Sequence, residues 1–293
     1  MRTFREAMRE GRFALTAELT LTRDSSADDV RRQADLLGRY VDAVQVSDNP
    51  YAWVQMSALS TAAILIDHGI DAIPILGCRD RNRDALRSEL LGMRSVGVGS
   101  LILMRGHGIP RDHALPARAV FDTTGQELIQ MAAAVDRLVS MPAGDDWLIG
   151  TGARVFRANR GWRAESLVRR HEAGARFLQS QLCFNLDILR HYMARFVEAG
   201  YDRKYRMMVS LSPLPSVVTA RWIKKNLSDS RLPERIIEQL AGAEDPAAEG
   251  VAQCAELMQA VSGIEGVSGI HLMTTGEVAP IVEALEASGL GDR

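Results

Sequence analysis

The chain has 293 residues, enough for one large α/β domain or two small ones. With 46% hydrophobic and 25% charged residues, it has the make-up of an ordinary globular protein rather than a disordered or fibrous one. Thirty-five basic against 37 acidic residues leave a formal charge of −2, a balance that selects neither nucleic acid nor an anionic membrane as partner.

The first residues, Met1 to Glu6, lack an apolar stretch of signal-peptide type, and the longest apolar run, 62–66, is too short to span a bilayer. Cys78, Cys183 and Cys254 are scattered and odd in number, so neither a disulfide framework nor a zinc site is expected, and no metal is assigned. A cytoplasmic enzyme is the expectation.

Short apolar runs at 13–20, 43–47, 72–76, 100–105, 147–151, 176–184, 206–211 and 269–273 are the expected strands. They are mostly spaced by about thirty residues, the size of a βα unit. Helical signals fill the gaps. Ser26 with Asp29 forms a capping-box pattern ahead of Val30, Ala34, Leu37 and Val41. Asn82 is an N-cap for a helix over 84–96. Thr124 with Glu127 repeats the box before Leu128 and Met131, and Gly69, Gly174 and Gly200 stand where helices should stop. Eight such units predict an α/β fold of the (β/α)8 TIM-barrel type. A doubly wound open sheet is the rival, but no Gly-x-Gly-x-x-Gly turn follows the first strand. No Pro/Gly-rich linker divides the chain, so residues 1–293 are expected to form a single barrel domain. The segments 106–118 and 154–160 are expected as loops at the mouth.

In such barrels, ligands bind where strands end. Glu18 sits near the end of the first strand among apolar neighbours, and desolvation suits a carboxyl group to general acid work. Its bland alternative is a barrel-edge glutamate paired with an arginine. Ser47-Asp48-Asn49-Pro50 ends the second strand and favours a turn. Arg105-Gly106-His107-Gly108 ends the fourth, where glycines allow close approach of a flat ligand. Arg105 could pair with phosphate there, and His107 could carry a proton. The amide of Gln181 offers both donor and acceptor, or is a buried glutamine satisfied by backbone. His271 in the last strand favours a structural role. The arginines from Arg154 to Arg170 could hold a dinucleotide phosphate or a polyglutamate tail, or form a solvated face.

The run Cys78-Arg79-Asp80-Arg81-Asn82-Arg83 followed by Leu90-Leu91-Gly92-Met93 resembles one branch of the methylenetetrahydrofolate reductases. So do the first strand with Glu18, the segment Leu103 to His107, Val120-Phe121-Asp122, and Glu172 to Ala175 with Gln179, Gln181 and Phe184. The likeness continues through Gly266 to Leu272 and spans nearly the whole chain.

This resemblance implies a (β/α)8 barrel holding FAD, with NADH or NADPH as hydride donor and a tetrahydrofolate substrate. The implied reaction reduces 5,10-methylene-tetrahydrofolate to 5-methyl-tetrahydrofolate. Glu18 takes the role of the family's acid, and Gln181 that of a folate contact. Ser47, Arg105, Gly106, His107 and Arg170 match cofactor-side positions, His107 also facing the pterin. A homo-oligomer, with neither nucleic acid nor membrane as partner, completes the expectation.

The chain also departs from the family pattern. His107 replaces an aspartate, Ile75 a histidine, Arg170 a lysine and Ser180 a threonine. Most of these changes fall on the cofactor side, so the resemblance implies kept folate chemistry with an FAD site that is weakened, altered or lost. A flavin-independent reductase and a non-reducing folate-binding or methyl-transfer protein are the alternatives.

Overall fold

In the computed structural model, residues 3–110, 117–138 and 146–291 are described. The strands are β1 (Ala14–Glu18), β2 (Ala43–Val46), β3 (Ala72–Gly77), β4 (Ser100–Met104), β5 (Leu148–Ala153), β6 (Phe177–Leu182), β7 (Arg206–Leu211) and β8 (Val267–Leu272). Each pairs in parallel with the next, and β8 closes on β1, giving the expected (β/α)8 barrel. Around it run α2 (Ala27–Leu37), α3 (Ala58–Asp67), α4 (Arg83–Ser95), α5 (Gly125–Leu138), α6 (Glu165–Ala173) and α7 (Leu186–Glu198). Three helices, α8 (Val217–Asn226), α9 (Glu234–Gly242) and α10 (Pro246–Ser262), fill the return from β7 to β8, and α11 (Ala279–Ser288) follows β8.

The capping signals act as the sequence suggests. Ser26 and Asp29 close a reciprocal capping box on α2, and Asn82 accepts from the Ala85 N–H at the start of α4. Of the expected loop 106–118, residues 111–116 lie outside the described ones. The last strand, Val267–Leu272, begins two residues before its expected start. A Cβ at Gly269 would stand 2.3 Å from the Ala14 carbonyl oxygen, so the glycine permits close packing of β8 on β1.

One further helix, α1 (Phe4–Glu10), precedes the barrel and was not expected from the sequence. Thr3 and Glu6 cap it reciprocally. Its buried residues Phe4, Ala7 and Met8 pack on Ala14, Ala43, Ile73, Ile102, Phe177 and Met208. The Phe4 and Phe177 rings meet edge to face at 5.1 Å. This apolar plug closes the barrel floor. Ile75 belongs to the same cluster. The polar inward positions of β1, β2 and β8 therefore lie above a dry floor and beneath the mouth.

Candidate functional site at the barrel mouth

Glu18 ends β1 and is 8% exposed. It faces the barrel interior, since inward residues alternate along each strand. Ser47, just past β2, donates its hydroxyl hydrogen bond to Glu18 Oε1. His271 of β8 is fully buried, with Nε2 3.7 Å from Glu18 Oε2 and Nδ1 3.0 Å from Thr16 Oγ1. Gln45 stands opposite Glu18 in the β1–β2 pairing, and neither amide atom has a hydrogen-bond partner among the described residues. The acid thus lies in a polar nest made by Thr16, Gln45, Ser47 and His271. Sequence reading reached Glu18 and Ser47 but placed Ser47 on the cofactor side, favoured a structural role for His271 and gave Gln45 none. The signal for these two was their inward parity next to β1.

The arginine-rich run after β3 is a clamp. Arg79 is 6% exposed; it grips Asp80 through Nε and Nη2 at 2.7 and 2.8 Å and donates to the Asn49 carbonyl at 2.8 Å. Arg81 forks onto Asp48, and Arg83 pairs with Asp122 ahead of α5. Asp48 in turn accepts from the Gly77 N–H. These bonds tie the ends of β2 and β3 to each other and to the segment before α5. The loop that begins at Asn49 holds Asn49, Tyr51 and Ala52 at positive φ, a conformation costing on the order of 1 kcal/mol or more per non-glycine residue. The loop so held presents Tyr51 and Trp53 at the surface, with Tyr51 edge-on to Trp222 of α8 at 5.9 Å. Burial, and then the Glu18 charge, push the Tyr51 hydroxyl above its ordinary pKa.

Of the remaining expected site residues, Gln181 and Arg170 are bonded to the protein. Gln181 Oε1 accepts from the Val155 N–H at 2.9 Å, while Nε2 donates to the carbonyls of Val155 and Asp229 at 2.9 and 3.0 Å. This is the backbone-satisfied arrangement. Arg170 donates to the Gly152 carbonyl at 2.6 Å and to the Ser166 carbonyl at 3.1 Å, and burial lowers its pKa. Arg105 lies over the Phe121 ring at 4.0 Å, continuing the outward parity of Leu101 and Leu103. Gly106 takes φ 78°, a left-handed turn that glycine adopts without strain, and His107 beyond it is exposed. Arg154 pairs with Asp229 at 2.6 Å across the β5 and β7 sides of the mouth. Beside it opens a cleft of ≈ 400 Å³ floored by Phe156, Trp162 and Tyr192 and edged by Arg163, Arg169 and Arg170.

Fold and site together define a parallel (β/α)8 barrel with a buried acid at the C-terminal mouth. The model of one family, Methylenetetrahydrofolate reductase, matches residues 3–289, and the chain belongs to that family. Among solved structures, an uncharacterized protein from Clostridium thermocellum that binds two copies of 5-methyl-5,6,7,8-tetrahydrofolic acid aligns over 98% of each chain, at 13% identity and a TM-score of 0.63. Oxaloacetate acetylhydrolase aligns over 97% of this chain and 83% of its own, at 10% identity and a TM-score of 0.52. At such identities the likeness is one of fold. No curated protein matches the chain.

Proposed function

We propose that this protein binds a reduced folate at the barrel mouth and reduces 5,10-methylene-tetrahydrofolate to 5-methyl-tetrahydrofolate with hydride from NADH or NADPH. The observation that carries this reading is Glu18, a buried carboxyl group at a strand end in a chain that matches the reductase family almost end to end. The folate bound by the Clostridium thermocellum protein supports it. In the proposed reaction, the Glu18 carboxyl gives its proton to the ring nitrogen whose bond to the methylene carbon breaks. That nitrogen keeps the electron pair, and the carbon becomes an iminium that accepts hydride. Ser47, bonded to Glu18 Oε1, fixes the carboxyl group for that transfer.

Members of this family usually use FAD. Here two of the matching side chains are hydrogen-bonded to the protein itself, Arg170 to Gly152 and Ser166 and Ser47 to Glu18, and Arg105 lies over Phe121. A flavin held by Arg170 or Ser47 would have to displace these contacts, so the set fits FAD poorly. The geometry favours the flavin-independent reading, with hydride passing directly from nicotinamide to folate.

Anaerobic oxidation of NADH or NADPH by the purified protein, with methylene-tetrahydrofolate present, tests the proposal. Turnover is expected without visible flavin absorbance, and Glu18→Gln is expected to slow it by about a hundredfold or more. A stoichiometric flavin spectrum would overturn the flavin-free reading. Tight folate binding without turnover would make the protein a binder instead.

A further inference from the structure

Glu18 is approached from two sides. Ser47 donates to Oε1 from the β2 side, and His271 faces Oε2 from the β8 side. Thr16 and His271 are opposite residues in the β1–β8 pairing, so the strands themselves fix where the imidazole lies. The ring is fully buried, Thr16 Oγ1 engages its Nδ1, and Nε2 has no hydrogen-bond partner among the described residues. At 3.7 Å, that nitrogen is just outside hydrogen-bond distance of the carboxylate. Catalytic hydrogen bonds are often long in ligand-free proteins and tighten when the substrate is bound. The floor cluster beneath, which includes Ala14, Phe177 and Met208, is apolar.

We propose that His271 is a positioning residue for Glu18, holding an Nε2–H toward Oε2 and stabilising the carboxylate that remains once the proton has left. The Thr16 hydroxyl donates to Nδ1, which places the ring's single proton on Nε2. Ser47 and His271 then present one donor to each carboxylate oxygen. As charge develops on Glu18, the 3.7 Å gap closes into a charge-assisted hydrogen bond. His271 stays neutral throughout, and the proton received by the substrate comes from Glu18 alone. The acid role rests on the proposed function, whereas the tautomer and its dependence on Glu18 are properties of the ligand-free protein.

Nitrogen NMR of the histidine rings in the purified full chain tests this, with the His271 signals assigned by their loss in His271→Phe or, should that variant not fold, in His271→Gln. The expected result is an Nε2-protonated neutral ring whose resonances move in Glu18→Ala and which gains the other tautomer in Thr16→Val. In turnover, His271→Phe is expected to lower kcat by about a hundredfold at unchanged KM, and His271→Gln, which keeps an N–H donor, to restore most of it. An Nδ1-protonated ring, or resonances indifferent to Glu18→Ala, would overturn the proposal. So would full turnover in His271→Phe, or a loss seen mainly in KM that glutamine cannot relieve. If the unsubstituted protein does not reduce methylene-tetrahydrofolate, the proposed function fails while the NMR result still decides the role of His271.

Discussion

Arg81 grips Asp48 with both terminal nitrogens, Nη1 to Oδ2 at 2.8 Å and Nη2 to Oδ1 at 3.1 Å. The Asp48 side chain is 5% exposed and that of Arg81 15%. Removing one partner of so buried a pair leaves the other charge stranded, at a cost of about 3 kcal/mol or more. Arg81→Met is therefore expected to lower the urea midpoint strongly, and adding Asp48→Asn should recover a large part of the loss. Equal instability in the double variant would show that the loss does not come from stranding the Asp48 charge, leaving the Arg81 contact with Glu89 as its source.

Gln181 spans two loops with three hydrogen bonds, to the Val155 N–H and carbonyl and to the Asp229 carbonyl. Gln181→Leu leaves all three backbone groups unpaired in a part-buried place, and about 2 kcal/mol of stability is expected to go with them. The loss should appear in the ligand-free protein by denaturant titration. A fully stable variant that merely binds folate poorly would restore Gln181 to the role of a direct ligand contact.

The barrel was legible because apolar runs spaced by about thirty residues leave few architectures open. All eight expected strands are present, and the box at Ser26 and the cap at Asn82 start α2 and α4. The floor plug α1 was missed because its seven residues precede the first strand and bury only one face. At the mouth, Glu18 could be found from its place at a strand end. The partnership with His271 could not, because the two strands meet only when the barrel closes; Thr16 and His271 lie 255 residues apart. The run at residues 78–83 identified the family long before its bonds showed what it holds in place. The side-chain bonds of Gln181 were equally out of reach, since an amide that bridges backbone carries no periodic signal.

Asp71 gives stability a dependence on pH of unusual sign. It is buried at the start of β3 and accepts the Phe4 N–H at 2.8 Å, anchoring α1. Burial raises its pKa from 3.8 to about 6, outweighing the lowering by that N–H and by the Arg5 charge. The folded protein thus keeps a proton that the unfolded chain releases, so this group's contribution is greatest below about pH 4 and declines until about pH 6. The decline amounts to about 3 kcal/mol. Asp71→Asn, which retains an acceptor for Phe4, is expected to be more stable than the parent above pH 6 and to converge with it in acid. Urea midpoints of both proteins across that range provide the measurement, and parallel curves would refute the assignment.

Gln45 poses the opposite problem, a buried polar group with nothing to bond. It is 1% exposed, and neither Nε2 nor Oε1 finds a partner among the described residues. An unsatisfied amide of this kind costs about 1–3 kcal/mol, whereas methionine would fill similar space without the penalty. Gln45→Met is accordingly expected to raise the melting temperature. The amide stands opposite Glu18 in the strand pairing, within the polar nest that also holds Thr16 and His271. A group kept there at a cost in stability is expected to serve the acid or its substrate, so the same variant should lose turnover as it gains stability. A calorimetric scan and a turnover assay on one preparation separate the outcomes. Lower stability would mean that the amide is satisfied inside the barrel, and unchanged turnover would confine Gln45 to packing.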